Sequence, residues 1–380
     1  MSKKWIFIQP QDVWMFRTSK PFAAGQSFVA RSTFPPNPQT MQGIIRTHMI
    51  EQSGIDWEAF GSRRDESLLG KIGAPATKDK KYKATLGNFE IRGPFVAKDV
   101  RTAKARQDNK PIKVEILVPT PLDVMKNKEN ENQLAFLKPS PADFVTLPPF
   151  DGWQPLTLVN GQGEYESAGG WLDEENFWLY LQGKVPQHIT KQEEVFLYDE
   201  RVGLAIDYGR RASRDKHLYH ADFVRLCDGV GLLVEVDADL LPGKGYIGVG
   251  GESRSGYYET VDFQLSSSSH QGKLKIVLLT PAYFSDGWHP ANNDWSPWAG
   301  PNARLVSMAL GRPTLISGWD TVRRQPKPLH HYVPAGSVYF FEGAQVQPQP
   351  FTEPIPDSDF ENGEIDAGRL GFGGFAVGIW

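Results

Sequence analysis

The chain has 380 residues, 40% of them hydrophobic and 23% charged, with a formal net charge of −4. That composition excludes disorder as the default state and argues against a free-standing nucleic-acid binder. A single cysteine, Cys227, allows no internal disulfide and fits a reducing compartment, and no run approaches the ~18 apolar residues of a membrane span.

The opening, WIFIQPQDVWMFR, is apolar and strand-like up to Pro10. After a polar stretch, Asn37 is a good N-cap with Pro38 at the first helical position. Met41, Ile44, Ile45, His48 and Met49 then recur at helical spacing, and Ser53 and Gly54 end the helix. Residues 60–150 do not parse cleanly. Charged runs and short strand candidates such as VEILVP and FVTLP read as insertions on a framework. One segment in it, 98–113, carries six basic and two acidic groups, and KDKKYK at 78–83 is basic too. By contrast 351–366 has six acids and no base. From about 190, HADFVRLCDGVGLLVEVD, KLKIVLLTPAYF, ARLVSMALG and GSVYFFEG are rich in β-branched and aromatic residues and predict strands. The class is α+β.

The last twelve residues, RLGFGGFAVGIW, match the G-x-G-x-x-G/A spacing of a dinucleotide turn at Gly371, Gly373 and Ala376. That motif needs a helix behind it to hold the pyrophosphate. Four residues remain, so the match is false, and a glycine-rich loop feeding a terminal strand is expected.

Chemistry-bearing sets are sparse. No histidine pair has metal-ligand spacing with a carboxylate, one cysteine precludes thiolate clusters, and neither a nucleophile elbow nor a Walker A sequence is present. Neither a metal nor a cofactor is expected. His48, on the apolar face of the helix, reads foremost as a buried, hydrogen-bonded residue.

Two clusters do combine glycine with arginine: Gly250 and Gly251 before Arg254, and Arg369 before Gly371, Gly373 and Gly374. Glycine lets backbone N–H groups approach a phosphate and arginine adds a fork of donors. The ordinary alternative is a tight turn or bulge. A loop at 286–298 joins Trp288, Trp295 and Trp298 to Asp and Asn side chains, a mixture that suits a sugar. Its plainer reading is a loop anchored by its aromatics.

In order along the chain, PQDVWMFRTSKPF, FPPNPQTMQGIIRTHM, ERVGLAIDYGRRAS, LYHADFVRL, GGESR, GWD before KPLHHYVPAGSVYFFEG, and GFGGFAVGIW resemble the third-subunit family of the type III-B CRISPR Cmr effector complexes, in the RAMP superfamily. The resemblance covers about a third of the chain. It implies two ferredoxin-like (RRM-like) RAMP domains with large insertions, expected at 1–216, with an insertion at about 60–190, and at 217–380. It also implies a cytoplasmic, non-catalytic RNA-binding subunit in antiviral defence. Such a subunit holds the 5′ handle of the CRISPR RNA, docks the large polymerase-cyclase subunit beside other RAMP subunits, and meets target RNA indirectly.

On that reading Arg17, Lys20, Arg31 and Arg46, which flank the first strand and helix, join the two glycine–arginine clusters as candidate RNA contacts. Related RAMP proteins cut RNA without metal, so a processing endoribonuclease using His48 is the alternative function. A carbohydrate-binding module built on the tryptophan loop is the third.

Overall fold

The computed structural model describes residues 3–18, 29–63, 65–77, 81–141, 150–159, 161–207, 209, 212–237, 241–265, 271–320 and 322–380. Of the sequence-based expectations, Lys20 and the FVTLP segment lie outside these residues.

Strand β1 (Lys3–Pro10) alternates its side chains between two buried faces. Ile6 and Ile8 belong to one core, Trp5 and Phe7 to another, which is why WIFI reads as an unbroken apolar run. Helix α1 (Pro38–Ser53) starts where the capping chemistry places it. Asn37 Oδ1 accepts the Thr40 N–H at 2.9 Å, and Gly54, at φ +74°, sends its own N–H to Glu51 O. Met41, Ile45 and Met49 pack against Ile6, Ile8, Leu232 and Val234.

The framework strands that follow are β2 (Ile91–Asp99) and β3 (Val114–Pro119), then helix α2 (Glu174–Leu181). Next come β4 (Phe196–Asp207), β5 (Ala212–Leu226), β6 (Val230–Asp237), β7 (Lys244–Gly248) and β8 (Ser255–Val261). The first sheet runs β7-β8-β1-β6-β2-β3, with Trp171–Leu172 at its far edge. The region 60–190 therefore supplies two framework strands as well as an inserted four-stranded sheet between Val124 and Ser167.

A second sheet holds β9 (Gln271–Leu278), β10 (Arg304–Ala309), β11 (Val338–Gln345) and β12 (Phe375–Ile379), in the order β10-β11-β9-β12. All its neighbours are antiparallel. Numbered by appearance, these four strands lie 4-1-3-2. The set β8-β1-β6-β2 in the first sheet has the same order and is also antiparallel.

Position 216 of the sequence-based division falls within β5. That strand pairs with β4 as a long hairpin, Phe196 opposite Leu226, so it is a return strand and not a linker. The change of sheet comes after Val261.

The two sheets face each other through Phe7, Phe95, Val277, Val338 and Phe340. On the far side of the second sheet, Leu274, Ile276, Tyr339 and Phe341 are covered by Trp295, Trp298 and Phe351. The layers are thus α1, first sheet, second sheet and tryptophan loop.

Candidate nucleic-acid interface

Leaving β1, the chain turns at Asp12, and Phe16–Thr18 runs antiparallel to Arg31–Thr33. Thr18 N–H donates to Arg31 O at 3.1 Å and Thr33 N–H to Phe16 O at 2.9 Å. Arg17 stands opposite Ser32, so the exposed side chains of Arg17 and Arg31 leave opposite faces of this short ladder.

Beyond it the proline-rich FPPNP segment lines a cleft of about 360 Å³. The first sheet contributes Phe95 and Leu117, the chain after β9 Leu279, Pro281 and Ile316, and Arg17 stands in the lining. The cleft lies between the first sheet and the chain that follows β9, beside the start of α1.

Further along α1, Arg46 points away from the apolar stripe. Its Nε and Nη2 are shut off from solvent and have no hydrogen-bond acceptor, although part of the side chain reaches water. Burial pushes its pKa down to about 10. One turn earlier Gln42, 2% exposed, also has an unpartnered buried Nε2.

An arm of the second unit, the ladder of Thr314–Ile316 with His330–Tyr332, closes on this helix. At Gly318 an added Cβ would lie 2.4 Å from Gln39 Nε2 and 3.2 Å from Lys327 Cδ, so the missing side chain permits the approach. Burial lowers the pKa of Lys327; Asp357 opposes that fall, and the charge of Arg46 deepens it. On the same arm Trp319 is 61% exposed. Arg17 and Arg31 thus share the short ladder that precedes α1, and Arg46 lies on α1 itself.

The other predicted contacts are committed elsewhere. Gly250, at φ +74°, leaves 2.3 Å between an added Cβ and Met15 O, and Gly251 N–H donates to that same carbonyl at 2.8 Å. Arg254 bonds Asp12 at 3.4 Å and lies 4.8 Å over the Phe223 ring. This cluster ties β8 to the loop after β1.

The terminal glycine loop, expected to cradle phosphate, has each of its glycine N–H groups taken within the protein. Gly371 N–H goes to Gly368 O, Phe372 N–H to Ala367 O, Gly373 N–H to Pro281 O and Gly374 N–H to Thr280 Oγ1. Arg369 Nη2 donates to Gly87 O. Gly371 has φ +96°, and an added Cβ would stand 2.3 Å from Gly93 O. What requires glycine is close approach by the protein's own main chain.

Phe372 stacks on Tyr332 at 4.8 Å, and Trp380 Nε1 donates to Leu274 O at 3.0 Å. Both rings are packing elements.

The residues of the two alternative functions lie in packed surroundings. His48 is 7% exposed, edge-on to Tyr258 at 5.8 Å, with Nε2 2.9 Å from Gln52 Nε2. Burial lowers its pKa against the opposing charge of Glu51. Trp295 and Trp298 are 4% and 6% exposed, and Trp295 stacks on Phe351, so the loop is anchored by its aromatics, as on the plainer reading, and lids a core.

Among the described residues no group of three or more His, Cys, Asp or Glu could hold a metal, and no helix is long and apolar enough to cross a membrane.

Several residues that matter carried no sequence signal. Gln42 and Lys327 stand in no motif, and the approach of the arm to α1 that places Lys327 beside Gln39 is a tertiary event. The paired cations could have been sought in HHY and KPL of the arm, but nothing in spacing links position 327 to position 46.

No curated protein matches the sequence. A chain in the cryo-EM structure of the type III-B Cmr-beta complex bound to cognate target RNA and AMPPnP is 19% identical, with 89% of this chain and 86% of that chain covered and a TM-score of 0.48. A chain of the Csm1–Csm4 cassette in complex with AMPPNP is 12% identical, with 91% and 96% covered and a TM-score of 0.32. The model of the family described as CRISPR-associated protein (Cas_Cmr3) matches residues 6–380, nearly the full length, and the chain belongs to that family.

Proposed function

We propose that the chain is a non-catalytic RNA-binding subunit of a type III-B CRISPR effector complex. It holds the repeat-derived 5′ handle of the CRISPR RNA and docks the large polymerase-cyclase subunit in the cytoplasm. Each four-strand set is a ferredoxin-like unit, a reading supported by the shared 4-1-3-2 order. The observation that carries the RNA reading is the placement of the exposed Arg17 and Arg31 on one short ladder, beside a cleft lined by the first sheet and the chain after β9. Arginine on a rigid ladder positions a phosphate backbone, and an adjoining apolar cleft accepts flat groups.

With a net charge of −4 the isolated chain attracts RNA weakly at long range, and binding falls steeply with salt. Specificity then comes from the assembly. The test is charge reversal, Arg17→Glu with Arg31→Glu, in the assembled complex. CRISPR RNA retention should drop at least tenfold while the melting temperature of the chain stays unchanged. Unaltered retention would move the RNA path elsewhere, with the basic 98–113 segment next. Incubation of the pure chain with repeat RNA in EDTA should leave the RNA intact; cleavage lost in His48→Ala would favour the endoribonuclease reading.

A further inference from the structure

Arg46 has a guanidinium with two nitrogens sealed from water and, among the described residues, no acceptor for either. A buried charge without a counter-charge is among the most unfavourable arrangements a fold can keep. Among the described residues no carboxylate forms an ion pair with it, although Lys327 close by is approached by Asp357, Asp320 and Asp359. Gln42 adds an unpartnered amide nitrogen at 2% exposure. Residues 42 and 46 are four apart on α1 and share a face. The face of α1 that carries Gln39, Gln42 and Arg46 thus meets the arm, where Gly318 brings Lys327 up to Gln39, and the guanidinium and the Gln42 amide nitrogen lack acceptors among the described residues.

We propose that Arg46, Lys327 and Gln42 form a seat for one phosphate of the bound RNA, gripped through charge and hydrogen bonds and without regard to base. This rests on the reading of the chain as an RNA-binding subunit. A phosphodiester offers two anionic oxygens, enough to engage the guanidinium fork and a second cation together, and it arrives with no proton to lose. A carboxylate from a neighbouring protein is the competing occupant. The part of the Arg46 side chain that reaches solvent marks the side of approach.

The experiment uses the RNA-free full chain and inorganic phosphate or sulfate as probe, with chloride and acetate controls at equal ionic strength. Phosphate in the tens of millimolar should raise the melting temperature by about 2 °C or more. Arg46→Met should abolish that rise yet melt at or above the wild-type temperature in chloride, since it removes a buried charge that has no partner in the free chain. Lys327→Met should weaken the response. In the assembled complex Arg46→Met should lower RNA retention equally for handles of different base sequence. An absent phosphate response, an unchanged one in Arg46→Met, or an equal one with acetate would overturn the proposal, the last in favour of a protein carboxylate. Loss of RNA in the Arg17/Arg31 reversal with no phosphate response would leave the RNA-binding reading standing and remove only this seat.

Discussion

The Lys275 ammonium lies 3.6 Å from Asp123 Oδ2, with both side chains almost entirely sealed from water. Tyr180 of α2 donates its hydroxyl to Asp123 Oδ1 at 2.6 Å, and Lys275 Nζ sits 3.3 Å from the centre of that ring. This group pins the inserted segment and α2 to β9 in the centre of the second sheet. Lys275→Met alone should destabilise by roughly 3 kcal/mol or more, because it strands the carboxylate, and adding Asp123→Asn should recover most of the loss. Equal urea midpoints for the single and double variants would show that the pair is not coupled.

The same lysine gives a pH signature. Burial lowers its pKa from 10.5 to about 8, so between those values the unfolded chain holds the proton more tightly than the folded one. Stability should therefore rise as pH increases from about 8 towards 10. Above about 10 the buried Tyr180 and Tyr339, whose pKa values are raised well above normal by desolvation, reverse the trend. Urea unfolding at pH 7.5, 8.5 and 9.5 tests this, and the rise should vanish in the Lys275→Met/Asp123→Asn chain.

At the acid end His48 and His330 act together. Burial lowers both pKa values from 6.5, so stability should be lost as pH falls below about 6.5, where the unfolded chain takes up protons first. Melting curves from pH 7 to 5 should show a shallower loss in His48→Gln. An identical slope would mean that His48 charges as readily inside the fold as outside it.

For the terminal loop, Gly373→Ala and Gly371→Ala should each lower stability by about 1 kcal/mol or more, since both positions have positive φ and meet main chain or Thr352. RNA retention in the complex should decline only in proportion. A variant as stable as wild type that nonetheless loses the handle would restore the loop as a direct contact.

Trp295→Ala should cost about 3–5 kcal/mol, the range for emptying a large aromatic site in a core. It should also leave glycan-array binding at background, as for wild type. A stable variant would show that the ring is not part of the lid.

The sequence was legible where local chemistry decides the outcome. Asn37 with Pro38 sets the start of α1, Gly54 its end, and the runs at 230–237, 271–278 and 338–345 are strands because their β-branched and aromatic residues are buried on both faces. It was illegible where distant segments meet. Residues 91–99 resisted parsing because Pro94 and flanking charges obscure a strand whose place depends on β6, well over a hundred residues away. The glycine–arginine clusters resembled phosphate cradles because glycine beside arginine looks alike whether the backbone approaches a ligand or another strand. Only the partners Met15 O, Gly93 O and Gly87 O tell the cases apart.

The order of the first sheet also sets a timetable for synthesis. Roughly 220 residues separate the end of β1 at Pro10 from Val230, where its neighbour β6 begins, and β8 follows later still. At bacterial-to-eukaryotic elongation speeds that gap lasts on the order of ten to forty seconds. For most of it, β1 and α1 are already made but lack β6 and β8, the strands that flank β1. A nascent chain stalled before residue 230 should thus be a stronger chaperone client than one stalled after 261, and slowing translation should lower soluble yield more than raising temperature by a few degrees.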